Sequence, residues 1–146
     1  MQTEFNSQPA KLDLPRPDVD FEGDLQQLVR NYPPLHMSRQ YFTFQVQDGN
    51  VTVVGNVRSL QAKWMLVERV PRIAGVKRVD VSRLYDDETV AVAIADHLPA
   101  GLYATVYYGM VALTGTLPLH ADAPALMTAV ETTPGVRKVT AQFDQG

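Results

Sequence analysis

Cysteine is missing from the 146 residues altogether, which removes disulfides, thiolate nucleophiles and thiolate metal ligands together and leaves the redox compartment open. Also missing is any run of about eighteen apolar residues, the length a membrane-spanning helix needs. The start Met1-Gln2-Thr3-Glu4-Phe5 has no basic stretch followed by an apolar one. The chain as numbered is therefore expected in the cytoplasm, or in the periplasm or envelope if it is the mature part of a longer protein. Positive charge is scarce: 13 Lys and Arg against 16 Asp and Glu leave a net charge of -3. No clustered basic surface is available to release counterions from nucleic acid, and little holds the chain on an anionic membrane.

Catalytic equipment is equally thin. His36, His97 and His120 lie far apart with no paired ligand spacing, so no metal is expected. No serine sits in a nucleophile elbow, and no glycine-rich loop follows a strand in a dinucleotide or Walker arrangement. The acidic run Asp86-Asp87-Glu88 stands where a helix begins, where carboxylates favour the positive end of the dipole, and reads as capping rather than as a cation site. The sequence predicts no enzyme, no catalytic residue and no cofactor.

What is present is 45% hydrophobic and 20% charged residues, the make-up of a globular protein. Residues 1–20 hold Pro9, Pro15 and Pro17 among polar residues without a period and read as an extended arm. From Phe21 onward, within a helix opening at Asp24, Leu25, Leu28 and Val29 share one stripe, which Pro33-Pro34 stops. Phe42, Phe44 and Val46 alternate up to a turn at Asp48-Gly49-Asn50, after which Val51 and Val53 resume the alternation: a β-hairpin. Ser59 caps a helix from Leu60 to about Arg72, Gly75 stops it, and Val76 to Leu84 forms a strand with Val79 and Val81 on one side. The same order then returns. Asp86 or Asp87 opens a helix holding Val90, Ala93, Ile94 and His97, Leu102, Ala104 and Val106 alternate toward Gly109, and Val111 and Leu113 return. A helix from about Ala123 to Val130 and a strand from Val136 to Phe143 complete the second copy.

Laid on itself at an offset of 60 residues, the chain matches Val46 with Val106, Gly49 with Gly109, Val51 with Val111, Gly55 with Gly115, Leu66 with Leu126 and Val70 with Val130. Gly75-Val76 meets Gly135-Val136 and Val79 meets Val139, with no gap needed between residues 42 and 84. Glycine recurs where a hairpin turns (Gly49, Gly109), where a strand is expected to pass close under a helix (Gly55, Gly115) and where a helix stops (Gly75, Gly135). The prediction is an α+β protein of two tandem αββαβ units, each a three-stranded mixed sheet with two helices on one face. The arm takes 1–20, the first unit 21–84 and the second 85–146. Units of roughly 60 residues bury only about 60% of their unfolded surface, so the two are expected to lean on each other.

The copies read Asp48-Gly49-Asn50-Val51-Thr52-Val53-Val54-Gly55-Asn56-Val57 with Val70-Pro71-Arg72-Ile73-Ala74-Gly75-Val76-Lys77-Arg78-Val79, and Tyr108-Gly109-Met110-Val111-Ala112-Leu113-Thr114-Gly115-Thr116-Leu117 with Val130-Glu131-Thr132-Thr133-Pro134-Gly135-Val136-Arg137-Lys138-Val139. This order resembles the BON domain family, named for bacterial osmotic-stress and nodulation proteins, over about residues 24–144. The resemblance implies an αββαβ fold, usually in tandem, in non-enzymatic proteins thought to bind phospholipid surfaces or other envelope components. Relatives include outer-membrane lipoproteins, osmotically induced periplasmic proteins and a cytoplasmic potassium-binding protein. The chain departs from the envelope members in lacking an export or lipoprotein signal, and from the potassium-binding type in lacking a peptidoglycan-binding module. A KH-like RNA binder has a similar small layout, but no Gly-x-x-Gly clamp is present.

Two surface patches are candidates for binding. On the helix from Leu60, the residues Ala62, Leu66, Val70 and Ile73 suit the core, leaving Leu60, Trp64 and Val67 as a second stripe with Lys63 beside it. Trp64 is expected to pack against the other copy or the N-terminal helix; insertion into a lipid interface and a protein partner are the functional readings. In the second hairpin, Tyr103, Thr105 and Tyr107 alternate opposite to the core set and should point away from the helices, where contact between copies, a homo-oligomer and solvent exposure compete. The pairs Lys77-Arg78 and Arg137-Lys138 read as solvated strand starts rather than phosphate sites. The functional expectation is a binding module for a phospholipid surface or envelope partner, with a homo-oligomeric scaffold or a soluble ion sensor as alternatives.

Overall fold

The computed structural model describes residues 17–145. The chain is α+β and builds two similar units in tandem, each with a three-stranded mixed sheet. The first unit runs α1 (Asp18–Asn31), α2 (Pro33–Met37), β1 (Phe42–Gln47), β2 (Asn50–Val57), α3 (Leu60–Arg69) with a 3-10 turn at Val70–Arg72, and β3 (Arg78–Asp86). The second runs α4 (Asp87–Ala95), β4 (Leu102–Tyr107), β5 (Met110–Leu117), α5 (Ala123–Glu131) and β6 (Lys138–Gln145). In each sheet the middle strand pairs antiparallel with its hairpin partner and parallel with the last strand.

Alternation decides which way each strand faces. Phe42, Val51, Val53 and Leu84 point to the helices and join Leu25, Val29, Leu35, Ala62, Leu66 and Val70 in one core. Val90, Ile94, Leu102, Val111, Leu113, Leu117, Leu126 and Val130 make the second. Helix starts follow their caps: Ser59 Oγ accepts from Ala62 N–H at 3.1 Å, Asp86 from Thr89 at 2.8 Å and Asp122 from Ala125 at 3.0 Å. Both hairpins turn on two residues with positive φ, Asp48-Gly49 and Tyr108-Gly109, the type I′ geometry whose twist matches the strands.

Several expectations need correction. The arm expected over 1–20 lies mostly outside the described residues, and α1 already begins at Asp18 rather than at Asp24. Pro33 does more than stop a helix: it occupies the first position of α2, where its missing N–H has no partner to lose. His97 falls beyond the end of α4 and is exposed. Gly55 and Gly115 are needed because the incoming hairpin strand, not a helix, passes close. A side chain at Gly55 would strike the Tyr41 carbonyl and the Phe42 backbone, and one at Gly115 would strike the Gly101 carbonyl. The gap-free offset also fails at the end of β3. Gly55 pairs with Leu84 whereas Gly115 pairs with Phe143, so the first copy has one extra residue. It is absorbed as a β-bulge beside Val54. There the exposed Asp80 carboxylate accepts from Ser82 N–H at 2.8 Å, and hydrogen bonding to Ser82 holds its pKa below the ordinary value.

Candidate functional site

The surfaces that distinguish the two units lie on the open faces of their sheets and at the junction between them. On the first sheet the face turned from the helices carries Gln45, Gln47, Thr52, Arg78, Asp80 and Arg83. On the second it carries Tyr103, Thr105, Tyr107, Met110, Ala112, Thr140 and Gln142, with Lys138 at one end and Asp144 at the other. Tyr103 and Tyr107 are 67% and 52% exposed, so the alternation places them as expected. The first face carries charge within it at Asp80 and Arg83; its counterpart carries charge only at its ends and is rich in tyrosine and threonine.

The side chains that build the junction have no like counterpart in the repeat. Tyr108, at φ 49°, is 4% exposed, an unusual place for a large aromatic because the left-handed region crowds its Cβ. Its ring stacks on Tyr41 of the first unit at a centroid distance of 3.7 Å and an interplanar angle of 4°. Its hydroxyl shares a buried 2.9 Å hydrogen bond with Ser38 Oγ. Tyr107 meets both rings edge-on, and the Arg58 guanidinium lies 4.9 Å from its centroid.

Asp87 anchors the same corner. Its carboxylate is buried and accepts from the N–H groups of Tyr108 (2.7 Å) and Gly109 (3.0 Å) and from Arg58 Nη1 (2.6 Å). Arg58 also donates to the Val106 carbonyl at 2.7 Å. Asn56, 4% exposed, donates through Nδ2 to the Gly135 carbonyl at 2.9 Å. A methyl group at Gly109 would come within 2.6 Å of that amide nitrogen. The end of β2 thus grips the hairpin turn of the second unit. Of the acidic run, Asp86 is the cap expected from sequence, but Asp87 is a latch between units, a role capping alone did not suggest. The sequence did carry one signal: Tyr108 stands before a glycine in a turn that requires positive φ, where Asp48 stands in the first copy.

The Trp64 patch does not pack as expected. Trp64 is 55% exposed and Leu60 37% exposed, while Val67 and Lys63 are half-buried; the core side of α3 is held by Ala62 and Leu66. The α3 start is tied instead through Leu60 N–H, which donates to Glu88 Oε1 at 3.2 Å. Gly49, Gly75 and Val76 lie at one end of the first unit, as Gly109, Gly135 and Val136 do in the second, where the latter pair of glycines meets Asn56 or its acceptor. Among the described residues no group of three or more His, Asp or Glu side chains is placed to hold a metal ion, and no helix is long and apolar enough to cross a membrane.

The chain resembles known proteins in fold. The C-terminal domain of CdsD, described as the structural protein of the type III secretion system of Chlamydia trachomatis, matches with a TM-score of 0.66 at 17% identity. That match covers 85% of this chain and 64% of the other, so this chain spans less than two thirds of it. A second CdsD structure from Chlamydia trachomatis aligns at 16% identity over 87% of this chain and 92% of that one, with a TM-score of 0.37, too low to add to the comparison. No curated protein matches. The BON domain family model matches twice, over residues 42–84 and 86–146, and the two segments coincide with the two sheets just described. The chain belongs to the BON domain family.

Proposed function

We propose that this protein is a non-enzymatic scaffold module of the bacterial envelope that assembles with copies of itself through the tyrosine face of its second sheet. The observation that supports the reading is the contrast between the two open faces. The repeat offers the same platform twice, yet the middle of the second, between Lys138 and Asp144 at its two ends, is free of charge and stocked with Tyr103, Tyr107 and Met110, whereas Asp80 and Arg83 lie within the first. A nearly neutral patch meets its own copy across a two-fold axis without like-charge repulsion, and tyrosine and methionine are enriched where proteins meet. Through Tyr107 the face runs directly into the aromatic junction, so the locked units hold it rigid. The fold shared with a domain of a secretion-system structural protein supports the envelope setting.

Magnitude limits the strength of such an assembly. Strands about 4.8 Å apart, with same-face residues about 6.8 Å apart, give a three-by-three patch of roughly 300 Å². A standard interface buries about 800 Å² per partner. Self-association through this face alone is therefore weak, with dissociation constants of roughly 10 μM to 1 mM. Sedimentation equilibrium over that range should show reversible dimerisation that Tyr103→Asp abolishes; a strict monomer at every concentration contradicts the reading.

A second reading rests on Trp64. An indole more than half exposed beside Leu60 on a helix suits a lipid interface, where one ring edge stays wet. It uses a separate surface and needs no self-assembly.

A further inference from the structure

We propose that the outer edge of β1 and the cleft between it and α1 accept an extended peptide segment as an added strand. This site is on the first unit and is separate from the tyrosine face.

The backbone directions follow from the register. Asn56 N–H donates to the Tyr41 carbonyl at 2.9 Å, and Gln47 pairs with Asn50 across a two-residue turn. Alternation then turns the polar groups of Thr43 and Gln45 toward β2, and those of Phe42, Phe44 and Val46 away from it. Since β1 is an edge strand, the N–H and C=O groups of Phe44 and Val46 have no hydrogen-bond partner among the described residues. The second unit treats the same position differently. The carbonyl of Val106, the counterpart of Val46, is covered by Arg58 at 2.7 Å. One outward acceptor of the β4 edge is covered where its counterpart at Val46 is open, and open edges template strand addition.

Beside the open edge lies a cleft of about 550 Å³ whose floor is Leu25, Val29, Phe42 and Phe44, within the range of roughly 300–1,000 Å³ typical of ligand sites. Its helical wall contains Gly23, with no atom within 4 Å of where a Cβ would stand. Glycine inside a helix is destabilising, and here it leaves the cleft mouth wide. The charged residues lining the cleft are Glu22 and Arg39. Arg39 precedes the start of β1, where an antiparallel incoming strand would place its C-terminal end. The occupant is thus an extended segment with apolar residues at alternate positions, to fill the Leu25 to Phe44 floor, and an acidic group near its C-terminal end to meet Arg39.

The test is to pan a displayed library of random dodecapeptides against the full chain and measure the recovered peptides on variants. Val46→Pro removes one outward amide and spares the β1–β2 ladder; Gly23→Leu fills the cleft with a better helix former. Thermal melting checks that each folds, and either variant suffices if the other does not. Recovered peptides should alternate apolar residues and carry a C-terminal acid. They should bind each variant at least tenfold more weakly, bind Tyr103→Asp unchanged, and slow amide exchange at Phe44 and Val46 at least tenfold. Recovery of no binder, or of peptides that bind the folded variants within twofold of the unaltered protein, overturns the proposal.

Discussion

Two residues at equivalent turns show how position sets the value of a side chain. Asp48 and Tyr108 both hold positive φ, a conformation that costs a residue with a Cβ about 1–2 kcal/mol and glycine almost nothing. Asp48 is exposed, so Asp48→Gly should be neutral or mildly stabilising in thermal melts. Tyr108 is buried between Tyr41 and Ser38, so Tyr108→Gly relieves strain but loses a buried aromatic and should destabilise by about 2–4 kcal/mol. Asp87 and Arg58 make a second contrast. Their side chains are 6% and 48% exposed. Asp87→Ala strands two buried N–H groups and should cost about 3 kcal/mol, whereas Arg58→Ala leaves a carboxylate still served by those amides and should cost about 1 kcal/mol. Chemical denaturation of the two single variants and the double variant measures both costs and their coupling. Equal costs would show that the turn amides do not depend on Asp87.

At the scale of elements, much was legible because it is local. Alternation in β1, β2, β4 and β5, the caps Ser59 and Asp86, and glycines at the turns each leave a mark within a few residues. The bulge in β3 left a weaker one: Ser82-Arg83 puts two polar residues between the inward Val81 and Leu84, where alternation allows one. The α3 stripe was legible as apolar, but not as uncovered, because covering depends on where the other unit sits. Its exposure yields a prediction. Trp64→Ala should leave melting nearly unchanged, since little of the ring is packed, and should reduce flotation with phosphatidylglycerol vesicles if the lipid reading holds. Unchanged flotation removes that reading.

In the whole molecule, the units are joined by unlike residues far apart in sequence: Ser38 with Tyr108, Asn56 with Gly135, Arg58 with Val106. No period marks such pairs, so the sequence indicated that the units lean together but not how. Because a buried carboxylate, a stacked aromatic pair and a buried amide all bridge the junction, the chain should melt in a single calorimetric transition with equal van't Hoff and calorimetric enthalpies. Two separable transitions would mean the latch is weaker than its geometry. Rigidity of this kind matters for assembly, because a small neutral face binds usefully only when little ordering accompanies contact. The absence of native cysteine allows a direct test of self-assembly. Thr105→Cys places a single thiol at the centre of the tyrosine face, and Gln45→Cys places one at the equivalent point of the charged face. Under mild oxidation Thr105→Cys should give a disulfide-linked dimer and Gln45→Cys should stay monomeric; equal crosslinking of the two, or none at Thr105→Cys, would rule out self-assembly through the tyrosine face.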